Sequence, residues 1–314
     1  MPPFARPGGC ARVTRGTNCT MRTLVTGATG FVGGRLAAAL AERGADVRCL
    51  VRDRGRAAWL ARAGHALHEG DVLDADSLRG AGEGIETAYY LVHSMGRGGD
   101  REGFADREQR AAENFARMAR EEGVERVVYL GGLGDERSEH LRSRAATAAT
   151  LAEHGPPLAY FRAAMVIGAG SESYRTVRYL VERLPAMIAP SWLRNRTQPI
   201  AIDDVLEYLV QAAERPEAAG REIQIGGPDV LTYAQVLDLM ADVLGKRRRP
   251  KVPFPLLTPR LSSLWIGLVT PVDAGVARPL IESLASETVV TDPEPARGFD
   301  VTPMSCVDAL RRAR

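Results

Sequence analysis

The stretch Met21–Arg52, MRTLVTGATGFVGGRLAAALAERGADVRCLVR, constrains this chain more than any other. A short apolar run, Thr23–Val25, predicts a buried strand. An Ala- and Leu-rich period from Phe31 to about Arg43 predicts a helix, and Val47–Val51 predicts a second strand. Gly27, Gly30 and Gly33 stand between the first strand and the helix in the order G-x-x-G-x-x-G. Strand, glycine turn, helix and strand make a βαβ unit with a right-handed crossover. Gly27 allows a tight turn off the strand. Gly30, lacking a Cβ, leaves room for a pyrophosphate at the backbone. Gly33 lets the helix pack close to the sheet. The start of such a helix offers free N–H groups and a positive dipole end to phosphates. The alternative is a plain glycine-rich turn that binds no nucleotide; the flanking strands at the right distance argue against it.

Further along, strands and helices alternate. Asp53–Ala63 predicts a short helix and His65–Glu69 a third strand, followed by Gly70-Asp71-Val72. Asp74 is placed to cap a helix over Asp74–Leu78. Thr87–Val92, Arg126–Leu130 and Leu158–Phe161 read as strands. Helices are expected from Phe104 through Met118 and from about Glu139 to His154. This alternation predicts an α/β fold, a Rossmann-type doubly wound parallel sheet covered on both faces. After Val166 helical patterns dominate, at about Tyr174–Arg183, Asp204–Ala213, Tyr233–Leu244 and Pro259–Leu284. Short strands at Glu222–Ile225 and Lys251–Pro253 interrupt them. The expected division is a disordered extension over 1–20, a nucleotide-binding domain over 21–165, and a smaller, mostly helical substrate lobe over 166–314. That lobe packs on the first domain and partly interleaves with it. The extension carries three prolines, three glycines and no acidic residue, and lacks the apolar stretch of a secretory signal. It reads as the product of an upstream start codon or, through Arg6, Arg12 and Arg15, as a transit peptide.

Composition bounds the partners. A net charge of +2 implies no polyanionic partner, so nucleic acid is not expected. The basic run Lys246–Lys251 surrounds Pro250 and reads as a solvated loop. Leu261–Val272 is too short to span a bilayer, so no membrane is expected. Cys10, Cys19, Cys49 and Cys306 show no metal spacing and read as free thiols in a reducing cytoplasm; no metal is expected. Oligomeric state is left open.

TGATGFVG resembles the glycine motif of the short-chain dehydrogenases/reductases, extended and atypical branches, and in particular the atypical NmrA-like NAD(P)-binding proteins. Gln198–Val205, Gly226-Gly227-Pro228 and Leu231-Thr232-Tyr233 extend the resemblance toward the C-terminus. The resemblance implies cofactor contacts at Gly27, Thr29, Gly30, Phe31, Val32 and Gly33, at Asp71 and Val72 near the adenine, at His93 near the nicotinamide ribose, and at Arg144. For Asp71 a helix cap or loop hydrogen bond is the competing role. The cofactor itself is read from the end of the second strand. A carboxylate there selects NAD; here Val51 is followed by Arg52, whose guanidinium matches the 2′-phosphate of NADP in charge and fork geometry. NADP(H) is therefore expected over NAD(H), with Asp53 as the complication.

The family's chemistry uses a Ser and a Y-x-x-x-K pair. In this chain His140 takes the Tyr position and Arg144 the Lys position, while Gly131 or Gly132 stands where Ser belongs. An arginine binds ribose or phosphate but does not shuttle protons. A histidine is able to donate one near neutral pH. His140 and Arg144 are the catalytic candidates, with a surface role for His140 as the alternative. Phe161–Ala164 is placed near nicotinamide and substrate, with a structural role for Arg162 as its alternative. Tyr174, Arg178, Tyr179 and Trp192 are lesser candidates for substrate contact, and Asp203 or Asp204 is expected to cap a helix. Two functions follow: an NAD(P)H-dependent oxidoreductase acting on a quinone, enone or carbonyl without the Ser-Tyr-Lys triad, or a redox sensor or scaffold that binds NADP(H) without turnover.

Overall fold

The computed structural model describes residues 20–92, 104–135, 139–184, 186–189, 191–253 and 286–314. Residues 1–19 of the predicted extension (1–20), His93 and the predicted helix Pro259–Leu284 lie outside the described residues, as do the side chains of Glu139 and His140.

The strands are β1 (Arg22–Val25), β2 (Asp46–Val51), β3 (Ala66–Glu69), β4 (Thr87–Tyr90), β5 (Arg126–Gly132), β6 (Leu158–Ala163), β7 (Val166–Ile167), β8 (Met187–Ala189), β9 (Arg196–Thr197), β10 (Ile200–Ala201), β11 (Arg221–Ile225), β12 (Leu231–Thr232) and β13 (Lys251–Pro253). The helices are α1 (Phe31–Glu42), α2 (Ala58–Arg62), α3 (Phe104–Glu121), α4 (Glu139–His154), α5 (Glu172–Arg183), α6 (Ile202–Glu214), α7 (Tyr233–Val243) and α8 (Cys306–Arg312). Seven strands form one sheet in the order β11-β6-β5-β4-β1-β2-β3. All its pairings are parallel. The chain winds outward from β1 to β3, then returns to β4 on the other side of β1. The crevice at the strands' C-terminal ends between β1 and β4 is therefore the switch point where open α/β sheets take ligands.

Alternate residues of each strand face opposite layers. Val25, Cys49, Tyr89 and Phe161 pack with Leu36 and Leu40 of α1 and Val205 and Leu209 of α6. Leu24, Tyr90, Val127 and Tyr129 pack with Phe115 of α3 and Leu151 of α4. A third cluster joins α5, α7 and α8 around Tyr174, Val181, Trp192, Met240 and Leu310. Cys49 and Cys306 are buried free thiols, both pushed up to about 12 by burial, which makes them unreactive at neutral pH.

Three expectations need correction. The strand at Glu222–Ile225 does not serve the second lobe; β11 adds to the main sheet beside β6, with Ile223 opposite Phe161. Its Ile223 and Ile225 sit in the α1/α6 layer, so burial of that face decides the placement. The helix expected over Asp53–Ala63 is only Ala58–Arg62, because the Asp53 carboxylate accepts from the Arg56 N–H at 3.0 Å and holds a turn there. Neither Asp203 nor Asp204 is an N-cap. α6 starts at Ile202 behind Ala201, with no side-chain cap. Asp203 instead pairs with Arg312 at 2.8 Å, and the buried Asp204 accepts from the Met304 N–H at 2.9 Å, tying the approach to α8 onto α6. Asp74, by contrast, caps its turn, accepting from the Asp76 N–H at 3.2 Å.

Two predictions arise here. Burial raises the Asp204 carboxyl above its ordinary range, the Met304 hydrogen bond opposing. A carboxyl raised in the folded state binds protons more readily there than in the unfolded chain, so stability falls as pH rises through its titration. Asp204→Asn keeps an acceptor for Met304 and removes the charge. Its melting temperature is expected to exceed wild type at pH 7 and to converge with it below the carboxylate range. A gain that is the same at both pH values would show that Asp204 is not the titrating group. Second, deleting residues 1–20 is expected to leave melting temperature and NADPH affinity unchanged. The sheet begins at Arg22, and its first tie is Met21 O accepting from Asp46 N at 2.8 Å. A drop of several degrees on truncation would show that the extension docks on the domain.

Candidate active site

The glycine turn is built into the switch point. Thr26 is buried at the end of β1; its hydroxyl donates to Tyr89 O and accepts from Leu91 N, both at 3.0 Å, which fixes the ends of β1 and β4 together. Gly27 has φ +64°, and a Cβ there would lie 2.4 Å from Leu91 O. Only glycine satisfies both the conformation and the approach. Gly33 serves the turn rather than the sheet: a Cβ on it would lie 2.3 Å from Gly27 O. Gly30 is different. It is exposed, has φ −87°, and an added Cβ would meet only Gly27 O at 3.1 Å. Its place in the fold does not demand glycine.

Helix α1 starts at Gly30 with no side-chain cap and no acidic residue in its first turn. Three other helices are capped by their own sequence: α5 by Ser171, α7 by a Thr232–Gln235 capping box and α8 by Ser305. The first turn of α1 thus keeps its orphan N–H groups and its positive end beside the crevice, which is what a pyrophosphate requires. Thr29 is exposed and Phe31 and Val32 half-buried around this start. Arg35 braces it, donating to Phe31 O at 3.0 Å and Ala169 O at 2.8 Å, with its guanidinium 4.4 Å from the Phe31 ring centroid. The sequence reading missed Arg35; its position one turn into the helix was the available signal.

At the end of β2, Arg52 is exposed, and its guanidinium has no hydrogen bond or ion pair among the described residues. Asp53 is held locally by the Arg56 N–H and by the Arg56 guanidinium at 3.6 Å. Past β3, Asp71 uses one carboxylate oxygen on the Leu73 N–H at 3.0 Å, while its own N–H donates to Ser77 Oγ at 2.9 Å. Val72 is buried, and its carbonyl accepts from Asn114.

At the far side of the crevice β5 ends in Gly131-Gly132. Arg144 on α4 reaches this end, donating to Leu130 O at 3.3 Å. The Tyr160 ring occupies the space over Gly131: a Cβ there would lie 2.7 Å from Cε2 and 2.8 Å from the hydroxyl. Leu141 fills the space over Gly132 in the same way, at 2.7 Å. Tyr90, Tyr129 and Tyr160 share one register row across β4, β5 and β6. Tyr129 and Tyr160 stack with centroids 5.4 Å apart. Burial pushes the Tyr129 hydroxyl well above the ordinary phenol range, with Arg144 opposing. Among the described residues no group of three or more His, Cys, Asp or Glu could hold a metal. No helix among them is long and apolar enough to cross a membrane.

The family model for NAD(P)H-binding matches residues 27–165, from the glycine turn through the end of β6. Residues 27–165 are thus similar to an NAD(P)H-binding domain. Among curated relatives, sterol demethylase protein B of Methylococcus capsulatus is 37% identical over 115 residues, covering 36% of this chain and 35% of that protein. The mitochondrial NADH dehydrogenase [ubiquinone] 1 alpha subcomplex subunit 9 of Arabidopsis thaliana is 27% identical over 247 residues, covering 74% of this chain. The chain spans only 60% of that second relative's length. Among solved structures, an NADPH-dependent quinone oxidoreductase from Escherichia coli, complexed with NADPH, superposes with TM-score 0.72 at 16% identity over 92% of this chain and 98% of that one. At that identity the likeness is one of fold.

Within this α/β frame Arg162 is held structurally. It donates to Gly132 O at 3.1 Å and Gly134 O at 2.7 Å and pairs with Glu222 at 2.9 Å, lacing β5, β6 and β11 together. Trp192 packs edge-on against Tyr233 in the α5/α7/α8 cluster. The basic run after α7 has internal partners: Arg248 pairs with Asp242, Arg249 donates to Val181 O, and Lys251 pairs with Asp238.

Proposed function

We propose that this chain is an NADP(H)-dependent oxidoreductase that passes hydride to a small organic substrate, a quinone, enone or carbonyl compound, without a Ser-Tyr-Lys relay. The observation that carries the reading is Arg144. Its guanidinium lies against the end of β5, across the crevice from the uncapped start of α1, as a fixed positive charge for the nicotinamide ribose or its phosphate. The nicotinamide, when bound, supplies the hydride. The first turn of α1 holds the pyrophosphate, Arg52 pairs with the 2′-phosphate, and Asp71 and Val72 flank the adenine. A proton then comes from His140 or from water. A quinone substrate tolerates the second source, since its oxygens take protons from solvent. The solved quinone oxidoreductase with bound NADPH supports this choice of substrate. The test is NADPH oxidation by the full chain against a panel of quinones, enones and carbonyls, with turnover of at least one expected.

Arg52→Ala is expected to weaken NADPH binding by about 1.5–3 kcal/mol, the worth of hydrogen bonds to a charged group, while NADH binding changes little. Equal losses for both cofactors, measured by titration, would mean that Arg52 does not read the 2′-phosphate.

One observation favours the second reading, a redox sensor. Tyr160 and Leu141 fill the space a Ser side chain would need at Gly131 and Gly132. A sensor binds NADPH and NADP⁺ with different affinities and turns over nothing in the panel, so the same experiment with two binding titrations separates the readings.

A further inference from the structure

The positions where a catalytic Ser is expected are glycines, but a hydroxyl still stands beside one of them. Strand register puts Tyr160 of β6 opposite Tyr129 of β5, and Arg162 opposite Gly131. The Tyr160 ring does not stay in its own row. It leans along β5 to the level of Gly131, where its hydroxyl oxygen lies 2.8 Å from the place a Cβ would take. β5 ends at Gly132, so the phenol is carried to the C-terminal end of the strand, where open α/β sheets take ligands.

The surroundings fix the ring and leave it at the rim. Tyr160 stacks on Tyr129 with the ring planes 14° apart, which sets its tilt. The Tyr129 hydroxyl donates to Arg144 O at 3.4 Å, so Arg144 and Tyr160 are held against the same residue. Arg144 reaches the same strand end, its Cδ 3.7 Å from where a Cβ on Gly132 would stand. Tyr90 and Tyr129, the other members of the row, are covered, at 2% and 1% exposure. Tyr160 is only half-buried. With Val92, the half-buried residue before His93, it borders the α3/α4 layer.

We propose that Tyr160 is a further catalytic residue, whose hydroxyl, brought across from β6, orients the substrate oxygen in place of the absent Ser. The proposal rests on the oxidoreductase reading above. Hydride passes with its electron pair from NADPH to the substrate, and an electron pair of the substrate moves onto its oxygen; NADPH is oxidised and the substrate reduced. The Tyr160 hydroxyl donates a hydrogen bond to that oxygen as charge develops there, and keeps its own proton. The proton that completes the reduction comes from His140 or from water. A phenol both donates and accepts, so a partner at its lone pairs leaves the donor in place. The ring over Gly131 is then a replacement for the Ser rather than a plug.

The experiment pairs binding with rate. Tyr160→Phe keeps the stacked ring and removes only the hydroxyl, so it is expected to melt like wild type and to keep wild-type NADPH affinity. Duroquinone is titrated into the full chain saturated with NADP⁺, which holds no hydride to give. Tyr160→Phe is expected to bind it about threefold to tenfold more weakly than wild type, the worth of one neutral hydrogen bond. With each quinone, enone or carbonyl that wild type turns over, Tyr160→Phe is expected to lower kcat about 10²-fold or more. On a Tyr160→Ala background, Gly131→Ser is expected to recover more of the rate than Gly131→Ala, which a packing role for the ring would not produce. Equal duroquinone affinity and equal kcat in wild type and Tyr160→Phe, or equal recovery by Gly131→Ser and Gly131→Ala, would overturn the proposal and leave the oxidoreductase reading standing. Turnover of nothing in the panel by wild type would end both.

Discussion

Gly30→Val is expected to fold like wild type and to lose NADPH binding by at least about 100-fold, roughly the worth of two hydrogen bonds to a charged phosphate. The three glycines of the turn separate cleanly by what surrounds them. At Gly27 a side chain meets the β4 end at 2.4 Å in a left-handed conformation, and at Gly33 it meets Gly27 O at 2.3 Å. Substitutions there damage the fold, and lost binding would say nothing about a ligand. Gly30 is exposed with an ordinary φ, and its Cβ meets a single atom at 3.1 Å. A valine there fills the approach to the uncapped first turn of α1 and asks the Gly27 carbonyl to give by only a few tenths of an ångström. The paired measurement is melting temperature and NADPH titration for Gly30→Val beside Gly33→Ala. Gly33→Ala is expected to melt well below wild type. NADPH binding that survives in a folded Gly30→Val protein would sink the assignment of this turn to the pyrophosphate.

The second large effect concerns the proton. If His140 is the acid, His140→Phe is expected to slow single-turnover NADPH oxidation about 10²- to 10⁴-fold. The sign with pH follows from the chemistry: only the protonated imidazole donates, so the wild-type rate falls as pH rises through the imidazole titration, and the variant loses that limb. If water is the donor, His140→Phe is nearly silent, and Arg144→Ala, which removes the fixed charge at the β5 end, mainly raises the apparent Kd for NADPH. Equal, flat profiles for wild type and His140→Phe would rule out His140. Restoring Tyr at 140 and Lys at 144 is not expected to create the usual reductase, because Gly131 and Gly132 still supply no orienting Ser.

The sequence by itself determined the βαβ unit, the alternation that yields a parallel sheet, and the place of the nucleotide turn. Those features are local: an apolar run, a period and a glycine spacing each act within a few residues of chain. The same locality made Asp74 readable as a cap and Arg52 readable as the residue after β2. Tertiary structure decided what depends on partners distant in the chain. β11 entered the main sheet because Ile223 and Ile225 are buried against the α1/α6 layer, which no window around Glu222 shows. Asp204 turned to the Met304 N–H, 100 residues away, in place of the helix start beside it. The row of Tyr90, Tyr129 and Tyr160 exists only through strand register, and it is this register that lays Tyr160 over Gly131. Which glycine the fold demands was likewise a matter of neighbours: Leu91 O 2.4 Å from a Cβ at Gly27, Gly27 O 2.3 Å from one at Gly33, and only Gly27 O, at 3.1 Å, near one at Gly30.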